Sequence, residues 1–284
     1  MKRNFCIGSE WLYYKIYIGP KTADFLLLEK LSPIIERLIT ENVIDKWFFI
    51  RYKDPQEHIR IRFYSKSSKK ILIVISELFP ILNNLLEQDI IWKIQTDTYQ
   101  REIERYGENT IENSETLFWH DSELILKYLE IKSSFVKEET QLLFSFLSID
   151  NFLNLFLSTN TEKLNFMDNL QLSFKKEFHA DKVLKKQMDL NYRNLSPEID
   201  SFLTYSCQNQ YSEIFKIIYE KQLKIENIIS FIKSDLQTSL SGFLISHIHM
   251  MINRQYTSKQ RRYEVIIYDH LYRHYKTIEF KKRI

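Results

Sequence analysis

Apolar spacing changes character once along this chain, close to residue 108, and that change restricts the folds open to it. Upstream, short runs of period two alternate with longer runs of helical period. Trp11-Leu-Tyr-Tyr-Lys-Ile-Tyr-Ile18 is aromatic and β-branched and reads as a strand, stopped by Gly19-Pro20. Thr22–Thr40 carries Phe25, Leu26, Leu28, Leu31, Ile34, Ile35 and Leu38 at helical spacing. Lys46–Tyr52 is a second strand, Asp54-Pro55 a turn, and His58–Phe63 a third strand with strict alternation. Ser67–Glu87 reads as a second helix and Ile90–Thr98 as a fourth strand. The order β-α-β-β-α-β predicts an antiparallel sheet with two helices on one face, the ferredoxin-like arrangement.

Downstream of Arg105-Tyr-Gly-Glu108 the period is helical almost throughout, with spans expected at 112–131, 138–158, 162–190, 197–205, 209–233, 236–253 and 259–276. Breaks are expected near Lys132-Ser-Ser, Asn160 and Asn194-Leu-Ser-Pro197. The class is α+β: a ferredoxin-like portion over 1–108 and a helical portion over 109–284, packed together as one domain. Four glycines and five prolines argue against collagen, Gly-rich linkers, a turn-dense sandwich and a phosphate-cradling loop. Two cysteines, Cys6 and Cys207, make no disulfide framework, so a reduced, cytoplasmic setting fits. No metal site is expected. A net charge of +3 lacks the basic excess of a nucleic-acid binder. The stretch from Arg254 to the C-terminus is more basic, with nine Lys/Arg against Glu264, Asp269 and Glu279; it reads as a solvated helix face or as a docking surface for an acidic partner. The longest apolar run, Ile71–Leu82, is broken by Glu77 and Pro80 and is too short to span a membrane. The N-terminus lacks the apolar core of a secretory signal.

Three clusters could carry chemistry. Strand period places His58, Arg60 and Arg62 on one face and Ile59, Ile61 and Phe63 on the other. Guanidiniums bind carboxylates bidentately and keep their charge, although a solvent-facing row paired with nearby acids has the same spacing. In Thr98-Tyr-Gln-Arg-Glu-Ile-Glu-Arg-Tyr-Gly107, Glu102 and Arg105 share a helical face. They make either a surface ion pair or an anion-binding arginine held by its own acid. In Ser246-His-Ile-His-Met-Met-Ile-Asn-Arg254, His249 faces Asn253 and is either a satisfied core histidine or a proton-transfer group.

These stretches, in this order, resemble the C-terminal domain of lantibiotic dehydratases, which also occurs as a stand-alone thiopeptide-type bacteriocin biosynthesis protein. The resemblance rests on Trp11–Tyr17, Trp47–Pro55, His58–Phe63, Tyr99–Gly107, Glu115-Thr-Leu-Phe-Trp-His-Asp-Ser122, His249–Arg254 and Arg261-Arg-Tyr-Glu264, and runs from about residue 10 to 275. It implies a lyase that removes glutamate by β-elimination from glutamylated Ser or Thr of a precursor peptide, leaving dehydroalanine or dehydrobutyrine. A separate protein would glutamylate the peptide from glutamyl-tRNA. By motif, the implied catalytic residues are Arg60, Arg62, Glu102, Arg105 and His249, with His58, Tyr99, Tyr106, Asn253 and Arg254 as substrate-binding neighbours.

The three arginines would clamp carboxylates and developing negative charge, and His249 would act as base at Cα or acid toward the leaving group. No cofactor is implied. The family often has a second glycine after Arg-Tyr-Gly; here Glu108 stands there. Two other readings are a pyridine synthase, which joins two dehydroalanines by aza-[4+2] cycloaddition, and a non-catalytic precursor-peptide binder. The partner is the precursor peptide, leader and core; its leader is expected to add to strand 11–18 as an extra strand, although Tyr13, Tyr14 and Tyr17 of that strand could equally pack the core.

Overall fold

The computed structural model describes residues 1–137, 139–179 and 181–282 and divides into two compact units. The first holds Met1–Glu130 with Ser234–Ser239 and Asn253–Ser258; the second holds Ile131–Lys233, Leu240–Ile252 and the chain from Lys259 on.

The first unit is built on strands β1 (Asn4–Phe5), β2 (Trp11–Ile18), β3 (Lys46–Lys53), β4 (Glu57–Tyr64), β5 (Ile91–Thr96) and β6 (Tyr99–Gln100). The main sheet has the order β3-β4-β2-β5 with every pair antiparallel, and β1 pairs with β6. Helix α1 (Pro20–Phe25) continues through a π-helical stretch (Leu26–Leu31) into α2 (Ser32–Thr40), and α3 (Ser68–Glu87) crosses back to β5. The short α4 (Ile103–Tyr106) and the long α5 (Ile111–Ile131) follow. Ile59, Ile61 and Phe63 of β4 are buried, as expected for the side under the helices. The α+β, ferredoxin-like expectation therefore holds.

One expectation fails. Strand 11–18 is not an edge, because β2 bonds to β4 along Trp11–Tyr17 on one side and to β5 along Tyr14–Ile18 on the other. Its burial pattern explains this: seven of its eight residues are buried, as in a strand covered on both faces. The edges are β3 and β5.

The second unit is helical: a 3₁₀ turn (Lys132–Ser134), then α6 (Thr140–Phe156), α7 (Asn160–Glu177), α8 (Lys182–Leu203), α9 (Ser212–Asp235), α10 (Leu240–Gln255) and α11 (Gln260–Lys281). The last two residues of α9 and the last three of α10 belong to the first unit. The expected break at Asn160 is a capping box, in which the Thr159 hydroxyl accepts from the Glu162 N–H and the Glu162 carboxylate accepts from the Thr159 N–H.

Two expected boundaries move. The span 162–190 divides near Asp181, whose carboxylate caps α8 by accepting from Leu184 N–H at 2.7 Å. Pro197 does not break α8. Proline has no N–H for the carbonyl four residues earlier, and the Ser196 hydroxyl donates to that Arg193 carbonyl at 3.1 Å instead. Within the basic stretch, Arg261 and Arg273 are held in ion pairs; its last cation, Arg283, lies outside the described residues. So does Glu138, where one helix was expected to start. No single described helix is long and apolar enough to cross a membrane.

Candidate functional site

Nine of the predicted site residues lie in the first unit, and His249 lies in the second. The face of β4 that carries His58, Arg60 and Arg62 is walled by aromatic neighbours, which bury His58 and Arg62 and leave Arg60 half-buried. Each follows from register. His58 sits opposite Tyr17 and Tyr52 and packs on both rings, at 4.7 and 5.5 Å between centroids. Its Nδ1 lies 2.8 Å from the Gln56 carbonyl, and its Nε2 accepts from Arg60 Nε at 3.0 Å. Burial lowers the His58 pKa below its ordinary value and outweighs the Gln56 hydrogen bond. Arg60 leans over the Tyr52 ring at 3.4 Å.

Arg62 differs. It lies between Tyr13 and Phe48, directly opposite both, and packs on the rings of Tyr13 at 4.1 Å, Tyr99 at 5.0 Å and Phe48 at 5.1 Å. It is 8% exposed, and its buried Nε has no hydrogen-bond partner. Burial depresses its pKa, yet a guanidinium keeps its proton. The result is a buried cation, walled by rings, without a hydrogen-bonded acid of its own.

Tyr99 links this cage to a second buried arginine. Its hydroxyl donates to Glu115 Oε1 at 2.9 Å. Arg101 grips the same carboxylate bidentately, Nε to Oε1 at 2.7 Å and Nη2 to Oε2 at 2.8 Å, and also reaches Glu112 at 3.0 Å. Glu115 is fully buried. Burial opposes the Arg101 charge, and the Glu115 contacts more than reverse it, so the Arg101 pKa rises. Burial lowers that of Lys46, whose Nζ lies 3.8 Å from the same carboxylate.

Glu102 and Arg105 form a loose pair at 3.8 Å, each about half exposed. Tyr106 is buried, edge-on to Phe118 at 5.0 Å, and burial pushes its hydroxyl pKa well up. Gly107 has φ +79°, and a Cβ there would lie 2.7 Å from Thr110 Oγ1, so only glycine fits. Glu108 is not among the positive-φ residues. The family's second glycine is thus not needed for this turn.

Arg254 is wholly buried over the Phe118 ring at 5.2 Å. Its Nη1 is 3.8 Å from Asp121 Oδ2, and its Nε and Nη1 make no hydrogen bond. Asn253 is occupied by the outer side of β3, where its amide accepts from Arg51 N–H at 2.9 Å and donates to the Arg51 carbonyl at 2.8 Å.

In the second unit, His249 Nδ1 lies 2.6 Å from Glu264 Oε1, and the side chain is 32% exposed. Glu264 is buried and also accepts from Tyr268 at 3.1 Å and Arg261 at 2.8 Å. Among the described residues no group of three or more His, Cys, Asp and Glu could hold a metal ion.

Sequence reasoning assigned no role to Arg101, Glu115, Asp121 or Glu264. A signal existed for two of them. Glu115 falls among Ile111, Ser114 and Phe118 on the buried side of α5, and Glu264 beside Tyr268 on that of α11; a carboxylate there requires a buried partner.

Comparison with known proteins gives a consistent picture. The model of the lantibiotic biosynthesis dehydratase C-terminal family matches residues 11–275. The nisin biosynthesis protein NisB of Lactococcus lactis subsp. lactis is 26% identical over 280 residues, which is 96% of this chain and 26% of NisB. The chain spans 20–26% of the length of the two curated relatives it matches first. The crystal structure of the tRNA-dependent lantibiotic dehydratase MibB from Microbispora sp. 107891 superposes with a TM-score of 0.77 at 18% identity, covering 98% of this chain and 29% of MibB. The pyridine synthase TbtD from thiomuracin biosynthesis superposes at 0.62 and 12% identity, covering 95% of this chain and 100% of TbtD. The two structural likenesses speak to fold alone.

Proposed function

We infer what this chain does from the family to which it belongs, that of the C-terminal part of lantibiotic biosynthesis dehydratases. We propose that it is a lyase that removes glutamate by β-elimination from glutamylated Ser or Thr of a precursor peptide. A separate polypeptide attaches that glutamate from glutamyl-tRNA, which places the step in the cytoplasm.

The observation that carries this reading is Arg62. A buried charge is strongly unfavourable unless paired, and Arg62 has ring faces but no hydrogen-bonded carboxylate. The missing acid is what a glutamyl ester brings. In the reaction a base takes the Cα proton, the Cα–Cβ double bond forms, and the Cβ–O bond breaks with its electron pair leaving on glutamate. Arg62 stabilises the departing carboxylate. Arg60, fixed by His58 and Tyr52, adds a second positive charge. Arg105, with Glu102 beside it, supplies an exposed guanidinium for the remaining acidic group. His249 carries the proton. Tyr99, Tyr106 and Arg254 are the substrate-binding neighbours, and Asn253 holds the β3 edge.

A pyridine synthase joins dehydroalanines that carry no glutamyl carboxylate, so Arg62 would gain no partner. A peptide holder needs no proton carrier. The test is incubation with enzymatically glutamylated precursor peptide and mass spectrometry. Elimination yields free glutamate and a peptide lighter than the unmodified one by one water. A macrocycle with freed leader, formed from a peptide that already carries dehydroalanines, would instead show cycloaddition, and a bound but unchanged ester would show a holder.

A further inference from the structure

We propose that Glu264 is a positioning residue for His249: its buried carboxylate accepts the Nδ1 proton and leaves Nε2 as the nitrogen that takes the substrate proton. The proposal rests on the reading of His249 as the proton carrier, and it goes further by naming the tautomer, the reacting atom and the direction of transfer.

The geometry lies wholly within the second unit. Arg261, Glu264 and Tyr268 of α11 are spaced three and four residues apart and so share a helical face. Tyr268 donates its hydroxyl to Glu264 Oε1 at 3.1 Å, and Arg261 Nη1 donates to Oε2 at 2.8 Å. Arg261 is fixed in turn by Glu177 at 2.6 Å and by the Phe174 ring at 4.3 Å. The carboxylate is therefore held from two sides, and Oε1 faces His249 Nδ1 at 2.6 Å. An ionised carboxylate only accepts hydrogen bonds, so the imidazole nitrogen facing it must carry a proton. In the neutral ring that makes Nε2 the acceptor. A histidine in this state is a base.

The step balances. Nε2 takes the Cα proton, the C–H electron pair becomes the double bond, and the Cβ–O pair departs on glutamate. The imidazolium formed is held against the Glu264 carboxylate until Nε2 returns its proton to solvent. In sequence the histidine and its acid are fifteen residues apart on two helices, so no local motif announces the pair.

The experiment combines ¹⁵N-histidine NMR of the whole chain with kinetics on glutamylated peptide. Wild-type His249 is expected as the Nδ1–H tautomer, and Glu264→Gln, which keeps the shape and removes the charge, as a mixture of tautomers. In that variant kcat falls about 10²–10⁴-fold, the scale seen when a catalytic histidine loses its orienting acid, while KM stays within about twofold. Glu264→Asp recovers part of the loss. An Nε2–H tautomer in the wild type, or Glu264→Gln with kcat intact, overturns the proposal. A variant that loses rate but keeps the single Nδ1–H tautomer also overturns it, since the effect would then be structural. Should Glu264→Gln fold poorly, Tyr268→Phe removes the competing donor at Oε1. The Nδ1–H resonance should then move downfield, and an unmoved resonance overturns the proposal. Full elimination by His249→Ala would overturn the catalytic role of His249 instead, and the tautomer measurement separates that failure from this one.

Discussion

Arg62 and Arg101 are both buried in the same unit and both depend on Tyr99, but they meet opposite ends of it. Arg62 packs on its ring at 5.0 Å, whereas Arg101 meets the Glu115 carboxylate that accepts the hydrogen bond from its hydroxyl. Arg101 has a fully buried acid gripped at two points; Arg62 has three ring faces and an unpartnered Nε. The contrast separates two uses of a guanidinium. With its anion built in, the charge holds the chain together. Arg62 has no hydrogen-bonded acid, only the charge of Glu102 acting on it at longer range; on the proposed reading its place is kept for the glutamyl carboxylate, and the surrounding rings hold it there.

The largest expected effect breaks the paired side. Glu115→Gln removes the buried counter-charge of Arg101 and leaves it only the exposed Glu112; removing one partner of a buried pair costs about 3–5 kcal/mol. Chemical denaturation should show that loss. A variant as stable as the wild type would mean that Arg101 is no better paired than Arg62, and the contrast would vanish. Next is the unpaired side. Arg62→Met fills the cage with apolar volume, so stability should stay level or rise. Elimination should fall about 10²–10³-fold, the scale for losing one donor to developing charge. Arg62→Met that destabilises as much as Glu115→Gln, or that eliminates normally, would place Arg62 among the structural arginines.

Much of this was legible in advance because it depends on local periods. The period-two run His58–Phe63 put three polar side chains on one face, and β4 keeps them there. The order of strands and helices implied the sheet. What the period could not show was the long-range partner. Nothing local marks Tyr13 and Phe48 as the walls around Arg62, since both come from other strands through register. Nothing marks strand 11–18 as central either, apart from its density of apolar residues. Pro197 misled for a different reason. Proline normally ends a helix through an unbonded carbonyl, and one serine hydroxyl removes that penalty.

Arg105 sharpens the comparison from the solvent side. Its pair with Glu102 is loose and exposed, and such pairs contribute about 0–1 kcal/mol. Arg105→Ala should therefore leave the denaturation midpoint nearly unchanged. On the proposed reading this guanidinium meets a substrate carboxylate, so elimination should drop at least about tenfold, or 1.4 kcal/mol. Unchanged kinetics would return Arg105 to the surface ion pair that its spacing also allows.

The smallest effect concerns Arg60, whose partner is neither a carboxylate nor rings alone but a neutral imidazole. Arg60 Nε donates to His58 Nε2, so protonating His58 removes the acceptor and places two cations side by side. Burial lowers the His58 pKa, aided by Arg60 and by Lys15 on β2, while the Gln56 carbonyl and Asp54 in the turn oppose the shift. The folded-state value therefore lies below the unfolded one, near 6.5. Just below that pH the unfolded chain binds more protons, and stability is lost as pH falls. One group can add at most about 1.4 kcal/mol per pH unit to the slope. His274, whose pKa burial also lowers, adds its own share in the second unit. Denaturation of wild type and His58→Gln across pH 5–8 (an experimental range of about three units) should differ in slope, with the variant flatter below about 6.5. Equal slopes would mean that Arg60 does not need a neutral His58, and only Arg62 would then stand apart from the paired arginines.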